Sequence, residues 1–199
     1  MQIAVVTPSK SNRHELLQEC IASVKAQTRP ADIHAIEVDI HCMGPAKLRN
    51  KIVSELPDNI DWLAFLDDDD IMFPNHLEKL TAVAENADVV YSPSQYTGVV
   101  HALDLKKMRI CNHIAITSLV RRSMFEQVGG FVDRRMEDWE LWKKIVAAGG
   151  RFIFVPEQTW EYRIQPDSRQ AKTSLATGQR VYKYEQGGLV TNWWSRRES

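Results

Sequence analysis

Four consecutive carboxylates, Asp67-Asp68-Asp69-Asp70, follow the apolar run Trp62-Leu63-Ala64-Phe65-Leu66 without a break. A run with no polar alternation reads as a strand covered on both faces of a largely parallel sheet, and ligands of open α/β sheets gather at the carboxyl ends of such strands. Adjacent carboxylates repel one another, more strongly where burial lowers the dielectric, so a bound cation is the obvious compensation. Hard oxygen ligands suit Mg²⁺ or Mn²⁺, which bridge a few carboxylates to the oxygens of a diphosphate. If the backbone stays extended, Asp67 and Asp69 share one side and Asp68 and Asp70 the other, so one pair can face a ligand. The plainer alternative is a solvated loop in which one Asp caps a helix near Pro74. An EF-hand is excluded, because the spaced acidic pattern with its Gly and distal Glu is missing.

A second acidic pair, Glu137-Asp138, stands at the start of a helical segment that also carries Trp139 and Trp142. Acids there favour the helix dipole. The same carboxylates serve as a general base if one lies within hydrogen-bond reach of a hydroxyl and is buried enough to raise its pKa. Trp139 and Trp142 are three apart, so one flank of the helix either stacks on a sugar or packs into the core.

The elements that must position these acids alternate. Residues 3–7 form an apolar run bounded by Pro8, Ser9, Ser11 and Asn12, and read as a buried strand. Leu16, Leu17, Cys20, Ile21 and Val24 then recur at helical spacing, with Asn12 and Glu15 resembling a capping box and Pro30 marking the far end. Further on the pattern predicts a strand at 33–40, a helix at 45–56, the strand at 62–66, a helix from Pro74 to about residue 86 and a strand at 88–91. The second half is less regular. It predicts strands near Val99 and at 114–120, a helix at 123–128 closed by Gly129 and Gly130, a helix at 137–148 stopped by Gly149 and Gly150, and strands at 151–155 and 159–164. Such alternation implies an α/β sandwich, with residues 1–164 as one domain and residues 165–199 as a polar, Gly-containing tail packed on or near the active site.

Composition narrows the partners. A chain of 199 residues with 44% hydrophobic content fills one core, and its 25 basic and 26 acidic side chains leave a net charge of -1. That balance gives no bulk attraction to nucleic acid or anionic membrane. Two local patches remain: five Lys or Arg against one Asp between His101 and Phe125, and Trp193-Trp194 followed by Arg196-Arg197. Basic side chains interleaved with aromatics suit a phosphorylated or nucleic-acid acceptor, a donor diphosphate, or only solvent. His101 and His113 have no metal-site spacing and read as hydrogen-bonding residues. No leader and no run of membrane-spanning length is visible. Cys20, Cys42 and Cys111, odd in number and widely spaced, read as reduced thiols of a cytoplasmic protein.

Taken together, Thr7-Pro8 with Arg13, Gly44 followed by Arg49-Asn50, Phe65-Leu66-Asp67-Asp68-Asp69-Asp70 with Pro74, Gly129-Gly130-Phe131 and Glu137-Asp138-Trp139 resemble the GT-A-fold, family 2 glycosyltransferases. The resemblance runs from about residue 3 to residue 163, and its order and spacing agree as well. It implies a GT-A-like, Rossmann-related α/β/α sandwich with a mostly parallel central sheet. It also implies metal-dependent, inverting transfer of a hexosyl group from a nucleotide-diphosphate sugar, a UDP-sugar first among them. The acceptor would be a saccharide or another hydroxyl-bearing molecule, with nucleic acid entering only through the basic patches.

Carried over residue by residue, the resemblance makes Asp67 to Asp69 the D-x-D motif, with Mn²⁺ or Mg²⁺ on Asp69 and Asp67 facing the ribose or the metal. Pro8, Arg13 and Asp68 would line the donor pocket. Asp39 would hold the nucleotide base, although Asp39-Ile40-His41-Cys42 departs from the family's usual Asp-Asp-Gly-Ser stretch. Arg49 would contact donor phosphate or fix the acid cluster. Asp138 would be the catalytic base with Glu137 as runner-up, and Trp139 the acceptor wall, leaving Trp142 to the core. Tyr162-Arg163 resembles a late Tyr-Arg pair, but no His follows His113. Arg163, Asp167, Arg169 or Lys172 would have to replace the late His with which some members complete the metal or diphosphate site.

Three other readings compete. A haloacid-dehalogenase-like phosphatase would use Asp67 as nucleophile and Asp69 as acid, but would want Thr or Val at Ile71 and would place the motif near the N-terminus. A nucleotidyltransferase would have a Gly-rich phosphate loop where this chain has Pro8-Ser9-Lys10-Ser11. A non-catalytic nucleotide-sugar-binding module would need the acid cluster but not Asp138.

Overall fold

The computed structural model describes residues 1–94 and 103–163, together with the backbone of 182–185 and 188–191. Its centre is a six-stranded sheet of β1 (Ile3–Lys10), β2 (Ile33–Asp39), β3 (Trp62–Phe65), β5 (Val89–Tyr91), β6 (Ser118–Arg121) and β7 (Phe152–Phe154), in the order β2-β1-β3-β6-β5-β7. β1 pairs in parallel with β2 and β3, and β5 with β7, while β6 runs antiparallel to both of its neighbours. The sheet is therefore mostly parallel, as expected.

Side chains alternate across it. Ala4, Val6, Leu63, Phe65, Val89, Tyr91 and Val120 point into a core shared with α2 (Pro45–Ser54), α4 (Leu105–Met108), α5 (Arg122–Gln127) and α6 (Glu137–Ala147). Ile3, Val5, Trp62, Ala64, Val90 and Leu119 point the other way, onto α1 (His14–Lys25) and α3 (His76–Thr81). Helices on both faces make three layers. A second, two-stranded pairing of β4 (Ile71–Met72) with β8 (Trp160–Glu161) lies directly after the acid cluster in the chain.

β1 continues three residues past its expected end, through Pro8 to Lys10. Leu66 N–H donates to Val6 C=O, so even-numbered residues of β1 turn their backbone groups towards β3, whose pairing ends at Val6↔Phe65. The missing N–H of Pro8 thus falls where no ladder bond is required. The capping box is not formed: Arg13, not Asn12, is the N-cap of α1, and no side chain caps the helix. α3 stops five residues early at Thr81, and its entry is tied to α1 by Gln27, which accepts from Leu77 N–H and donates to Phe73 C=O. α2 opens as expected with Pro45 at its start, after Gly44 at φ 84° and ψ 162°, a conformation open essentially only to glycine.

Of the strand expected at 114–120 only its second half pairs, as β6, and the four-residue α4 had no helical signal of useful length. The strand expected near Val99 lies outside the described residues. So does most of the tail placed at or near the active site, although β9 (Tyr182–Glu185) and β10 (Gly188–Thr191) pair antiparallel as a ribbon that sequence reading missed. Among the described residues no helix is long and apolar enough to cross a membrane.

Candidate active site

The four acids do not continue the strand. Asp70 N–H donates to Asp67 C=O at 3.1 Å, closing a turn between β3 and β4. Exposure nevertheless alternates, because the turn aims two side chains inward. The Asp68 side chain is 4% exposed and that of Asp69 13%, whereas that of Asp67 is 32% exposed. Asp68 Oδ2 accepts from Ser9 Oγ (2.9 Å) and Lys10 N–H (3.0 Å), and Oδ1 from Arg13 Nη1 (2.8 Å). Both oxygens thus help to hold the end of β1. Asp70 Oδ1 accepts from Arg163 N–H (3.0 Å), and its Oδ2 is buried with no hydrogen-bond partner among the described residues.

Arginines balance the turn. Arg13 Nη1 lies 2.8 Å from Asp68 and 2.7 Å from Asp69, so this predicted donor contact first braces two acids. Arg49 is 2% exposed and bridges Asp67 on one side and Glu137 on the other, with its guanidinium 5.3 Å from the Phe131 ring centroid. Of its two expected roles it takes the fixing of the acid cluster, and its burial rules out a surface salt bridge. Arg163 Nε donates to Asp69 C=O (2.5 Å), and its Nη1 pairs with Glu19 of α1. Burial pushes Asp69 up to about 6, with Asp67 adding to the effect and Arg13 opposing it. Asp70 is driven well above the usual carboxylate range by burial and then by Asp67 and Asp69.

The Arg49 bridge joins this turn to the start of α6, where Met136 sits at φ 62° as the N-cap. Glu137, the runner-up base, is a buried partner of Arg49, with its side chain 7% exposed. Asp138 is half-buried and takes part in no ion pair among those the structure gives. Its Oδ1 accepts from Trp139 N–H (2.8 Å) and its Oδ2 from Asn112 Nδ2 (2.6 Å). Burial raises its carboxyl from 3.8 to about 6, against the opposing hydrogen bond from Trp139 N–H. The Tyr162 phenol is pushed up by burial and then by Asp70, Asp67, Asp69 and Asp138, so it lies within electrostatic reach of both acidic groups.

Other predicted residues are placed differently. Pro8 is buried inside β1. The Asp39 carboxylate turns onto the loop before α2, accepting from Met43 N–H and Gly44 N–H at 2.8 Å each, and the Gly44 bond leads in holding it below the usual carboxylate range. Trp139, expected as an acceptor wall, donates its indole N–H to Met108 C=O (2.6 Å), and Lys143 Nζ sits 4.6 Å from its ring centroid. It clamps α4, and one face is already covered. Trp142 is fully buried, as expected. Members of the basic patch are engaged separately: Arg121 stacks over Trp62 and bonds Ala87 C=O, Arg122 pairs with Glu126, and Lys106 and Lys107 lie on α4. His113 Nε2 accepts from Asp104 N–H. Asn112 carried no sequence signal at all.

Among the solved structures that match, three illustrate the likeness of fold. TarS of S. aureus in complex with UDP-GlcNAc superposes with a TM-score of 0.67 at 15% identity, covering 86% of this chain and 61% of its own. The mannosyltransferase PcManGT of Pyrobaculum calidifontis, in complex with GDP-Man and Mn²⁺, gives 0.69 at 14% identity, covering 86% and 59%. A Drosophila β1,4-galactosyltransferase 7 mutant in complex with manganese, UDP-Gal and xylobiose gives 0.61 at 15% identity, covering 87% and 79%. The chain has the GT-A glycosyltransferase fold. It spans about three fifths of the TarS and PcManGT chains it matches. No family model matches the sequence, and no curated protein matches it.

The acid turn of this GT-A domain fits a divalent ion. Asp67 and Asp69 are the more open pair, their oxygens are hard, and burial with the crowding of acids drives Asp69 and Asp70 above the usual carboxylate range, a cost that a cation would relieve. Mg²⁺ and Mn²⁺ commonly take one or two carboxylates and fill their remaining positions with substrate phosphate and water. Among the described residues no three His, Cys, Asp or Glu side chains form a ready-made metal site. An ion at this turn therefore draws its other ligands from outside those side chains.

Proposed function

We propose that this chain carries the catalytic site of an inverting glycosyltransferase that uses a nucleotide-diphosphate sugar, with Mn²⁺ or Mg²⁺ held by Asp69 and Asp67. One observation carries the reading: Arg49, buried between Asp67 and Glu137, ties the metal-type acid turn to the helix start that presents Asp138. Support also comes from the donors and Mn²⁺ named in the complexes of TarS, PcManGT and the galactosyltransferase.

In this reading the acceptor hydroxyl oxygen forms a bond to the anomeric carbon on the face opposite the diphosphate. The bond from that carbon to the diphosphate oxygen breaks, and the nucleoside diphosphate leaves with the electron pair. Asp138 Oδ takes the hydroxyl proton. A carboxyl near 6 is ionised at neutral pH yet still basic enough to accept it. The metal, when bound, neutralises charge building on the leaving diphosphate. Arg13 and Arg163 hold the turn from two sides, so Asp67 and Asp69 need not reorganise as the donor arrives. The acceptor is a saccharide or another hydroxyl-bearing molecule; of the basic patches, Arg121 and Arg122 are engaged by Trp62 and Glu126, and Trp193-Trp194 with Arg196-Arg197 lies outside the described residues.

The test is a panel of nucleotide-sugars with Mn²⁺, scored for slow release of nucleoside diphosphate with water as acceptor. One donor should turn over, and Asp138→Asn should keep donor affinity while losing roughly 10²-fold or more in rate. A binding module would bind a donor and release nothing. A phosphatase would hydrolyse a phosphomonoester instead, with an attack by Asp67 that its bond to Arg49 opposes.

A further inference from the structure

Between α4 and β6 the chain passes over the start of α6 as a strap held at both ends by that helix. Trp139 Nε1 donates to Met108 C=O (2.6 Å), and Trp142 Nε1 donates to Ile114 C=O (3.0 Å). Between these two anchors stands Asn112. Its Oδ1 accepts from Ile114 N–H (3.3 Å), which fixes the orientation of the amide and turns Nδ2 outward, 2.6 Å from Asp138 Oδ2. Trp139 N–H holds the other oxygen at 2.8 Å. A carboxylate oxygen carries two lone pairs, so each keeps one for a proton.

We infer that Asn112 is the positioning residue of the general base: its amide donates to Asp138, fixing the direction of the carboxylate and favouring its ionised form. The inference rests on the reading of Asp138 as that base. The amide can donate only to the ionised or oxygen-accepting face of the carboxyl, so the bond is strongest when Asp138 is charged. Other groups act on the same carboxylate: Glu137 from its own helix raises it, Arg49 from α2 lowers it, and Tyr162 beyond β8 feels its charge. None of these is displaced when Asn112 is changed, which makes its effect separable. The strap explains the conformation as well. Two indole N–H donors spaced along α6 locate residues 108 and 114, and Asn112 is delivered to Asp138 by the chain between them.

The experiment measures kcat/KM against pH for the wild type and Asn112→Ala, together with a ¹³C carboxyl titration of Asp138 by NMR, which needs no turnover. The wild-type acid limb is expected near the value of about 6 set for Asp138. In Asn112→Ala both the acid limb and the NMR titration should move up by about one pH unit, the scale of one hydrogen bond to a charged group. Asn112→Asp, nearly isosteric, should move them further, because two carboxylates at hydrogen-bond distance share one proton. This second variant keeps the test open should the alanine variant fold poorly. A loss of stability with the Asp138 titration unmoved in both variants would overturn the inference, leaving Asn112 a structural strap residue. If Asp138→Asn is inactive while the titration in Asn112→Ala stays put, only the role of Asn112 falls. Full activity in Asp138→Asn would remove the base and its positioning residue together.

Discussion

Replacing Asp138 by Asn should make the protein more stable at neutral and alkaline pH while disabling it. In the folded chain the Asp138 carboxyl keeps its proton up to about 6, whereas the ordinary value is 3.8. Between these values the folded state binds more protons than the unfolded one, so this group's contribution to stability falls as pH rises from about 4 to about 6. The displacement of about 2 pH units, at about 1.4 kcal/mol each, sets an upper figure of about 3 kcal/mol. Asp138 is only half-buried, and water screening reduces that to about 1–2 kcal/mol. An amide avoids the charge penalty and, like the protonated acid, can accept through one oxygen from only one of the two donors, Asn112 Nδ2 and Trp139 N–H. Urea unfolding of both proteins should coincide near pH 4, and at about pH 8 the Asn variant should be ahead by about 1–2 kcal/mol, or about 5 °C in melting temperature for a chain of this size. A pH-independent difference between the two, or an Asn variant that is weaker at pH 8, would refute the reasoning.

Three further outcomes follow from the same geometry. Arg49→Met leaves Glu137 buried without its cation and should cost about 3–5 kcal/mol in urea unfolding, with most of that loss recovered when Glu137→Leu is added. Gly130 sits at φ 61°, and a Cβ there would lie 2.6 Å from Asn50 Oδ1 and 3.0 Å from Phe125 Cζ. Gly130→Ala should therefore lower stability by about 1–3 kcal/mol, read as a shifted urea midpoint at unchanged slope. Asp68→Ala abandons Ser9, Lys10 N–H and Arg13, and should cost about 1–3 kcal/mol of stability, yet in calorimetry it should keep more Mn²⁺-dependent donor binding than Asp69→Ala.

The fold was legible because its signals are local. The apolar run at β3 has no polar interruption, Pro45 opens α2 and Gly149 follows α6, so these elements declared themselves within a few residues. The acid turn was legible from its position after that run. What could not be read depends on partners far away in sequence. Nothing local to Arg49 says that it is buried between Asp67 and Glu137, 18 and 88 residues away. Asp68 resembles its neighbours in sequence, and only the turn that aims it at the end of β1 separates its role from theirs. Asn112 lies in a polar stretch without periodicity, and its approach to Asp138 is set by two tryptophans on α6. The basic patch between His101 and Phe125 rested on linear counting, since antiparallel β6 pairs Arg121 with Trp62, at the opposite end of β3 from the acids.

The most direct test is calorimetric titration of the protein with UDP-sugars and GDP-sugars, with and without Mn²⁺, in the wild type and in Asp69→Ala. At least one donor should bind, Mn²⁺ should strengthen its binding by about tenfold or more, and Asp69→Ala should abolish the strengthening while remaining folded. Donor binding that is the same with and without the metal, or a metal effect that survives Asp69→Ala, would contradict this expectation.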